Sequence, residues 1–145
     1  MFEKWKHRRV GNATNAEHPW TVLAIAASLT DRIQLQRIFD NAGWTIVFTD
    51  TVEEALRHPA PIVVCDRDLE GADWREAIQQ LARGPERRCV ILASFVADDY
   101  LWEEVIHCGG YDVLPKPFRE DEVVHAIHFA WAALTKSLPS APHTR

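Results

Sequence analysis

Apolar and polar positions alternate along the chain in a pattern that predicts five strands separated by five helices. The strands are short, nearly unbroken apolar runs, which are typical of parallel strands covered on both faces. The helices carry apolar residues three and four positions apart. Thr51 with Glu54 forms a capping box, and Asp73 is a good N-cap. The predicted strands are residues 21–27, 44–49, 61–65, 89–94 and 111–114.

Regular alternation of strand and helix predicts an α/β domain in which a parallel sheet is wrapped by helices on both sides. In such sheets, ligand-binding and catalytic residues lie beyond the carboxyl ends of the strands, at the point where the winding direction reverses. The residues to inspect are therefore those that follow the first, third, fourth and fifth strands. They are Ala26 and Ala27, Asp66, Ser94, and Lys116.

The composition narrows the classes of protein to consider. A chain of 145 residues with 47% hydrophobic residues suits one domain with a real core. Its net charge of −5 argues against a general nucleic-acid binder. Of the three cysteines, Cys65 and Cys89 lie in apolar runs and no CxxC pair exists, so free thiols in a reducing cytoplasm are favoured over a zinc site.

The ends of the chain differ from its centre. Residues 1–19 are basic but lack the apolar stretch of a signal peptide, and no run has the length of a membrane span. We therefore predict a cytoplasmic protein with a basic flexible tail at 1–19, one domain at 20–136 and a flexible tail at 137–145.

Asp66 admits several interpretations. "DRDLEG" (66–71) matches the opening of an EF-hand loop, but the position that needs a bidentate carboxylate is Ala77 and a strand precedes the loop. "VVCDRDLE" resembles the first motif of haloacid dehalogenase phosphatases, which implies Asp66 as nucleophile and Asp68 as general acid/base. Glu70 and the late place of this motif in the chain oppose that second interpretation.

A third resemblance covers nearly the whole domain. Asp66 after the third strand, Ser94 after the fourth and "GGYDVLPKPF" (109–118) around the fifth resemble the receiver domain of bacterial response regulators (CheY-like). This resemblance implies a flavodoxin-like sheet in the order 2-1-3-4-5 and a cis bond between Lys116 and Pro117. It also implies phosphorylation of Asp66 by a partner histidine kinase.

The same resemblance assigns roles at the site. Lys116 and Ser94 would neutralise and hold the phosphoryl group on Asp66, with Mg²⁺ bound by Asp66 and the backbone carbonyl of Asp68. Phe95 stands where the family generally has a small residue, and it could crowd the entrance to the site. At most, we expect the chain to catalyse its own phosphorylation on Asp66 from a phosphodonor.

One departure puts that chemistry in doubt. The family places an acidic pair at the end of strand one, where this chain has Ala26 and Ala27. We therefore expect magnesium binding to be weak or absent, and no other cofactor. Asp31 is interpreted as pointing away from the site, whereas Asp68 and Glu70 are better placed to compensate. The hypothesis is a pseudo-receiver, with a conventional receiver phosphorylated on Asp66 as the alternative and a haloacid-dehalogenase-like phosphatase as a remote one.

No output domain is evident, so we expect the signal to pass through protein–protein contacts. In receivers the usual surface comprises helix 4, strand 5 and helix 5, and the partner is a sensor histidine kinase or another signalling protein. A homodimer is a further option, and neither nucleic-acid binding nor a membrane span is expected. Four side chains of interest on this surface are Trp102, His107, His125 and His128.

Overall fold

The computed structural model describes residues 21–84 and 87–136. Its strands are β1 (Thr21–Ile25), β2 (Thr45–Thr49), β3 (Ile62–Asp66), β4 (Cys89–Ser94) and β5 (Asp112–Pro115). Its helices are α1 (Leu29–Ala42), α2 (Val52–Leu56), α3 (Trp74–Ala82), α4 (Asp99–His107) and α5 (Glu120–Lys136). The two predicted tails, 1–19 and 137–145, lie outside the described residues.

The strands form one parallel sheet in the order β2-β1-β3-β4-β5. This confirms the predicted flavodoxin-like fold and the predicted strand order. The peptide bond between Lys116 and Pro117 is cis, as predicted. Within the described residues, no helix is long and apolar enough to cross a membrane.

Local sequence explains where the helices begin and end. α1 starts after Ser28, whose hydroxyl accepts a hydrogen bond from the backbone N–H of Asp31 at 3.1 Å. It stops at Gly43, which adopts a left-handed conformation with φ of 76°. Asp73 occupies the N-cap position of α3 as predicted, but its carboxylate makes no capping hydrogen bond and lies 3.9 Å from Arg75 Nη1 instead.

The core consists of two layers, one on each face of the sheet. α1 and α5 cover one face, and α2, α3 and α4 cover the other. Each fully buried Leu, Ile or Phe side chain stabilises such a layer by about 1.5–3 kcal/mol. The largest side chains buried by the helices are Leu35, Phe39, Ile78, Leu81 and Ile127. Helices packed on both faces leave the carboxyl edge of the strands as the place where polar side chains meet.

Candidate functional site

Three of the predicted site residues converge at the carboxyl edge of the sheet. Asp66 ends β3, Ser94 ends β4, and Lys116 directly follows β5. The strand register aligns them, because Asp66 lies beside Ala93 and Ser94 lies beside Pro115. The Lys116 Nζ atom donates a hydrogen bond to Asp66 Oδ2 at 2.7 Å. The prediction that these three residues converge at one edge of the sheet is therefore confirmed.

Asp31 also belongs to this site, and the interpretation that it points away is wrong. Its Oδ2 atom accepts a hydrogen bond from Lys116 Nζ at 2.8 Å, and the residue is only 6% exposed. Asp31 is the third residue of α1, four positions before Leu35 and seven before Ile38. That spacing places the carboxylate on the buried face of the helix. The signal was therefore present in the sequence, one turn before the apolar stripe.

We call Asp31, Lys116 and Asp66 the acid–lysine triad. Burial lowers the pKa of Lys116, but its hydrogen bonds to Asp31 and Asp66 outweigh that effect and leave the pKa raised. The second oxygen of Asp66 accepts a hydrogen bond from the backbone N–H of Asp68 at 2.7 Å. Both oxygens of the Asp66 carboxylate therefore already have partners within the chain.

The residues present do not fit a magnesium ion. Mg²⁺ requires octahedral oxygen ligation and usually one or two carboxylates, yet Ala26 and Ala27 supply none. The carboxylates of Asp31 and Asp66 hold the Lys116 ammonium instead. Among the described residues, no group of three or more acidic, histidine or cysteine side chains is arranged to hold a metal.

Asp68 and Glu70, the two acidic residues considered better placed than Asp31 to replace the acidic pair, lie outside the triad. Asp68 contributes its backbone N–H to Asp66, while its own side chain is exposed. Glu70 is exposed as well, and it lines an acidic cleft between α2 and α3. The acidic side chain that reaches Lys116 together with Asp66 is Asp31.

Ser94 and Phe95 shape the outer side of the triad. Ser94 is 1% exposed, and its hydroxyl oxygen accepts hydrogen bonds from the Val96 backbone N–H at 3.0 Å and from Arg67 Nη1 at 3.5 Å. The ring of Phe95 lies 4.6 Å from Lys116 Nζ and is 65% exposed. An aromatic face at that distance stabilises an ammonium group. Arg67 was not singled out from the sequence, because its reach depends on a side-chain conformation that spacing does not reveal.

Known structures share the fold of this chain, although its sequence matches no known family. No family profile and no curated protein matches the sequence. A response regulator from Thermotoga maritima matches with a TM-score of 0.68 and 20% identity, over 77% of this chain and 97% of that one. The chain has the fold of response regulator receiver domains.

Two further receiver-fold structures give context. The receiver domain of a sensor histidine kinase from Pseudomonas aeruginosa, which has magnesium coordinated in its active-site cleft, matches with a TM-score of 0.68 and 17% identity, over 77% of this chain and 97% of that one. The receiver domain of Ssk1 from Saccharomyces cerevisiae, solved with the histidine phosphotransfer protein Ypd1, matches with a TM-score of 0.68 and 12% identity, over 78% and 89%.

The predicted partner surface of the receiver fold is formed by α4, β5 and α5. Trp102 and His128 are half-buried there, whereas His107 and His125 are exposed. Phe129 is 45% exposed, and its ring lies 6.3 Å from that of His125. The surface therefore mixes aromatic and titratable side chains.

Proposed function

We propose that this chain is a pseudo-receiver of two-component signalling, which binds other signalling proteins without being phosphorylated on Asp66. The acid–lysine triad carries this proposal. Phosphoryl transfer to a carboxylate requires that an oxygen can approach the phosphorus and that cations neutralise the phosphoryl group. Here both oxygens of Asp66 have partners in the chain, and the Lys116 ammonium is shared with Asp31.

The alternative is a conventional receiver that is phosphorylated on Asp66 by a histidine kinase. The convergence of Asp66, Ser94 and Lys116 at one edge of the sheet supports it, since these residue types suit the transfer. The absence of carboxylates at Ala26 and Ala27 opposes it. A phosphatase of the haloacid dehalogenase type has less support, because the Asp68 side chain is exposed and the Asp66 carboxylate is paired with Lys116.

As partner we propose a sensor histidine kinase or another signalling protein that docks on the surface formed by α4, β5 and α5. The Ssk1 receiver domain, which shares the fold, is seen with a histidine phosphotransfer protein. Phe129 and His125 support such contacts, because partly exposed aromatic side chains are enriched at interfaces. A homodimer through the same surface is the other option, and sedimentation velocity at increasing protein concentration distinguishes them.

The test of the proposed function is the intact mass of the wild-type protein before and after incubation with a small phosphodonor and Mg²⁺. We expect no phosphoryl adduct. The matched variant Ala26→Asp with Ala27→Asp introduces the acidic pair. We expect this variant to bind Mg²⁺, which a titration followed by tryptophan fluorescence detects. A phosphoryl adduct on the wild type that disappears in Asp66→Asn would establish the conventional receiver instead.

A further inference from the structure

The buried Lys116 ammonium lies between two buried carboxylates. Its Nζ atom lies 2.8 Å from Asp31 Oδ2 and 2.7 Å from Asp66 Oδ2. The side chains of Lys116, Asp31 and Asp66 are 4%, 8% and 2% exposed. One buried cation thus lies between two buried carboxylates, one from the first turn of α1 and one from the end of β3.

Electrostatics explains why these three groups depend on one another. Two carboxylates buried side by side repel and cannot both stay ionised without a cation between them. A protein resolves such a pair by protonating one acid or by placing a positive charge between them. This chain has alanines at positions 26 and 27 and a buried carboxylate at Asp31, in the first turn of α1. The charge needed to balance it is the ammonium.

We propose that the Lys116 ammonium acts as a built-in cation, held by Asp31 and Asp66 in place of a divalent metal ion. Asp31 is then a positioning residue, since it fixes Lys116 against Asp66 and keeps the site closed. The proposal rests on the pseudo-receiver function and adds how its site is kept closed. When the ammonium is removed, the carboxylates of Asp31 and Asp66 should bind a divalent cation in its place.

The test uses Lys116→Met, which keeps most of the side-chain volume and removes the charge. Thermal unfolding is followed in EDTA and in increasing Mg²⁺, Mn²⁺ or Ca²⁺. A ligand that binds only the folded state raises the melting temperature as its concentration rises. We expect such a rise for Lys116→Met and none for the wild type. The double variant Lys116→Met with Asp31→Asn should lose the rise, because one of the two carboxylates is gone.

The matched control is Lys116→Met with Asp50→Asn. Asp50 is an exposed aspartate whose carboxylate pairs with Arg32 on the surface, so its neutralisation should leave the metal response intact. A folded Lys116→Met protein with no response to any of the three metals overturns the proposal. So does a response that survives Asp31→Asn unchanged, since the carboxylate of Asp31 would then play no part.

If Lys116→Met does not fold in EDTA, a second measurement, made on the wild type, decides. In the wild type, nitrogen-detected NMR should show Lys116 ammonium protons that exchange slowly with water, because both carboxylates hold them. Asp31→Asn should speed this exchange, while Asp50→Asn should leave it unchanged. Equal exchange in wild type and Asp31→Asn overturns the proposal.

The two proposals fail separately. Phosphoryl uptake by the wild type refutes the pseudo-receiver function. Absence of a metal response in Lys116→Met refutes the built-in cation while leaving the pseudo-receiver function in place.

Discussion

Neutralising Asp31 tests how much the acid–lysine triad contributes to stability. The substitution Asp31→Asn keeps the shape of the side chain and one acceptor oxygen but removes the negative charge. Lys116 keeps Asp66, so the ammonium is not left without a partner. The loss is therefore smaller than for removing Lys116, which would leave two buried carboxylates unbalanced.

The expected magnitude follows from burial. A hydrogen bond to a charged group contributes about 1.5–3 kcal/mol net, and a neutral one about 0.5–1.5 kcal/mol. Replacing one by the other should cost about 1–2 kcal/mol, partly offset by relief of the repulsion between Asp31 and Asp66. A loss of about 1.4 kcal/mol lowers the ratio of folded to unfolded protein roughly tenfold.

The matched comparison is Asp50→Asn, which makes the same chemical change at a 2.6 Å ion pair with Arg32 whose aspartate side chain is 75% exposed. Exposed pairs contribute little, so we expect a loss below about 0.5 kcal/mol. Urea unfolding followed by tryptophan fluorescence gives the free energy of unfolding of the wild type and of both variants. The values can be compared when the free energy falls with urea concentration at the same slope in all three proteins. Equal losses at Asp31 and Asp50 would refute the view that burial makes the triad strong.

Three other predictions concern Gly110 and the cysteine thiols. Gly110→Ala places a Cβ atom 2.6 Å from Val105 Cγ1 and 3.1 Å from its carbonyl oxygen, so we expect a loss of about 1–3 kcal/mol in urea unfolding; an unchanged midpoint would show that the helix end can shift. Burial raises the pKa of Cys65 to about 12 and of Cys89 to about 11. A thiol reagent at pH 8 should therefore modify the partly exposed Cys108 first, and peptide mass mapping showing Cys65 ahead of it would contradict this. Because thiols ionise near pH 9 in the unfolded chain but stay protonated when folded, the stability they contribute is present below pH 9 and falls as pH rises towards 11; Cys65→Ala should show a shallower fall.

Much of the fold could be predicted from the sequence because its signals are periodic. Apolar runs and helical stripes predicted the alternation of strands and helices, whereas the order of the strands and the cis bond before Pro117 were implied by the resemblance to receiver domains. Asp66, Ser94 and Lys116 could be placed together because the carboxyl ends of parallel strands share an edge. Each of these inferences needed only the backbone path.

The rest of the site depends on the direction of individual side chains. The spacing from Leu35 and Ile38 already placed Asp31 on the buried face of α1, but its contact with Lys116 depends on how α1 packs beside the end of the sheet, which spacing does not reveal. The Asp73 carboxylate turns towards Arg75 rather than the helix end, a choice between two nearby partners of similar strength. The reach of Arg67 to Ser94 likewise follows from a rotamer and not from spacing.

The separation of the triad in the chain has a consequence for the kinetics of folding. Lys116 lies 85 residues from Asp31 and 50 residues from Asp66. Contacts between such distant segments close large loops, and these side chains lock only when β1, β3 and β5 are already in place. We therefore expect the triad to form after the folding transition state, so that Asp31→Asn speeds unfolding and leaves refolding nearly unchanged. The triad would then slow unfolding without speeding folding, so that it lengthens the lifetime of the folded protein.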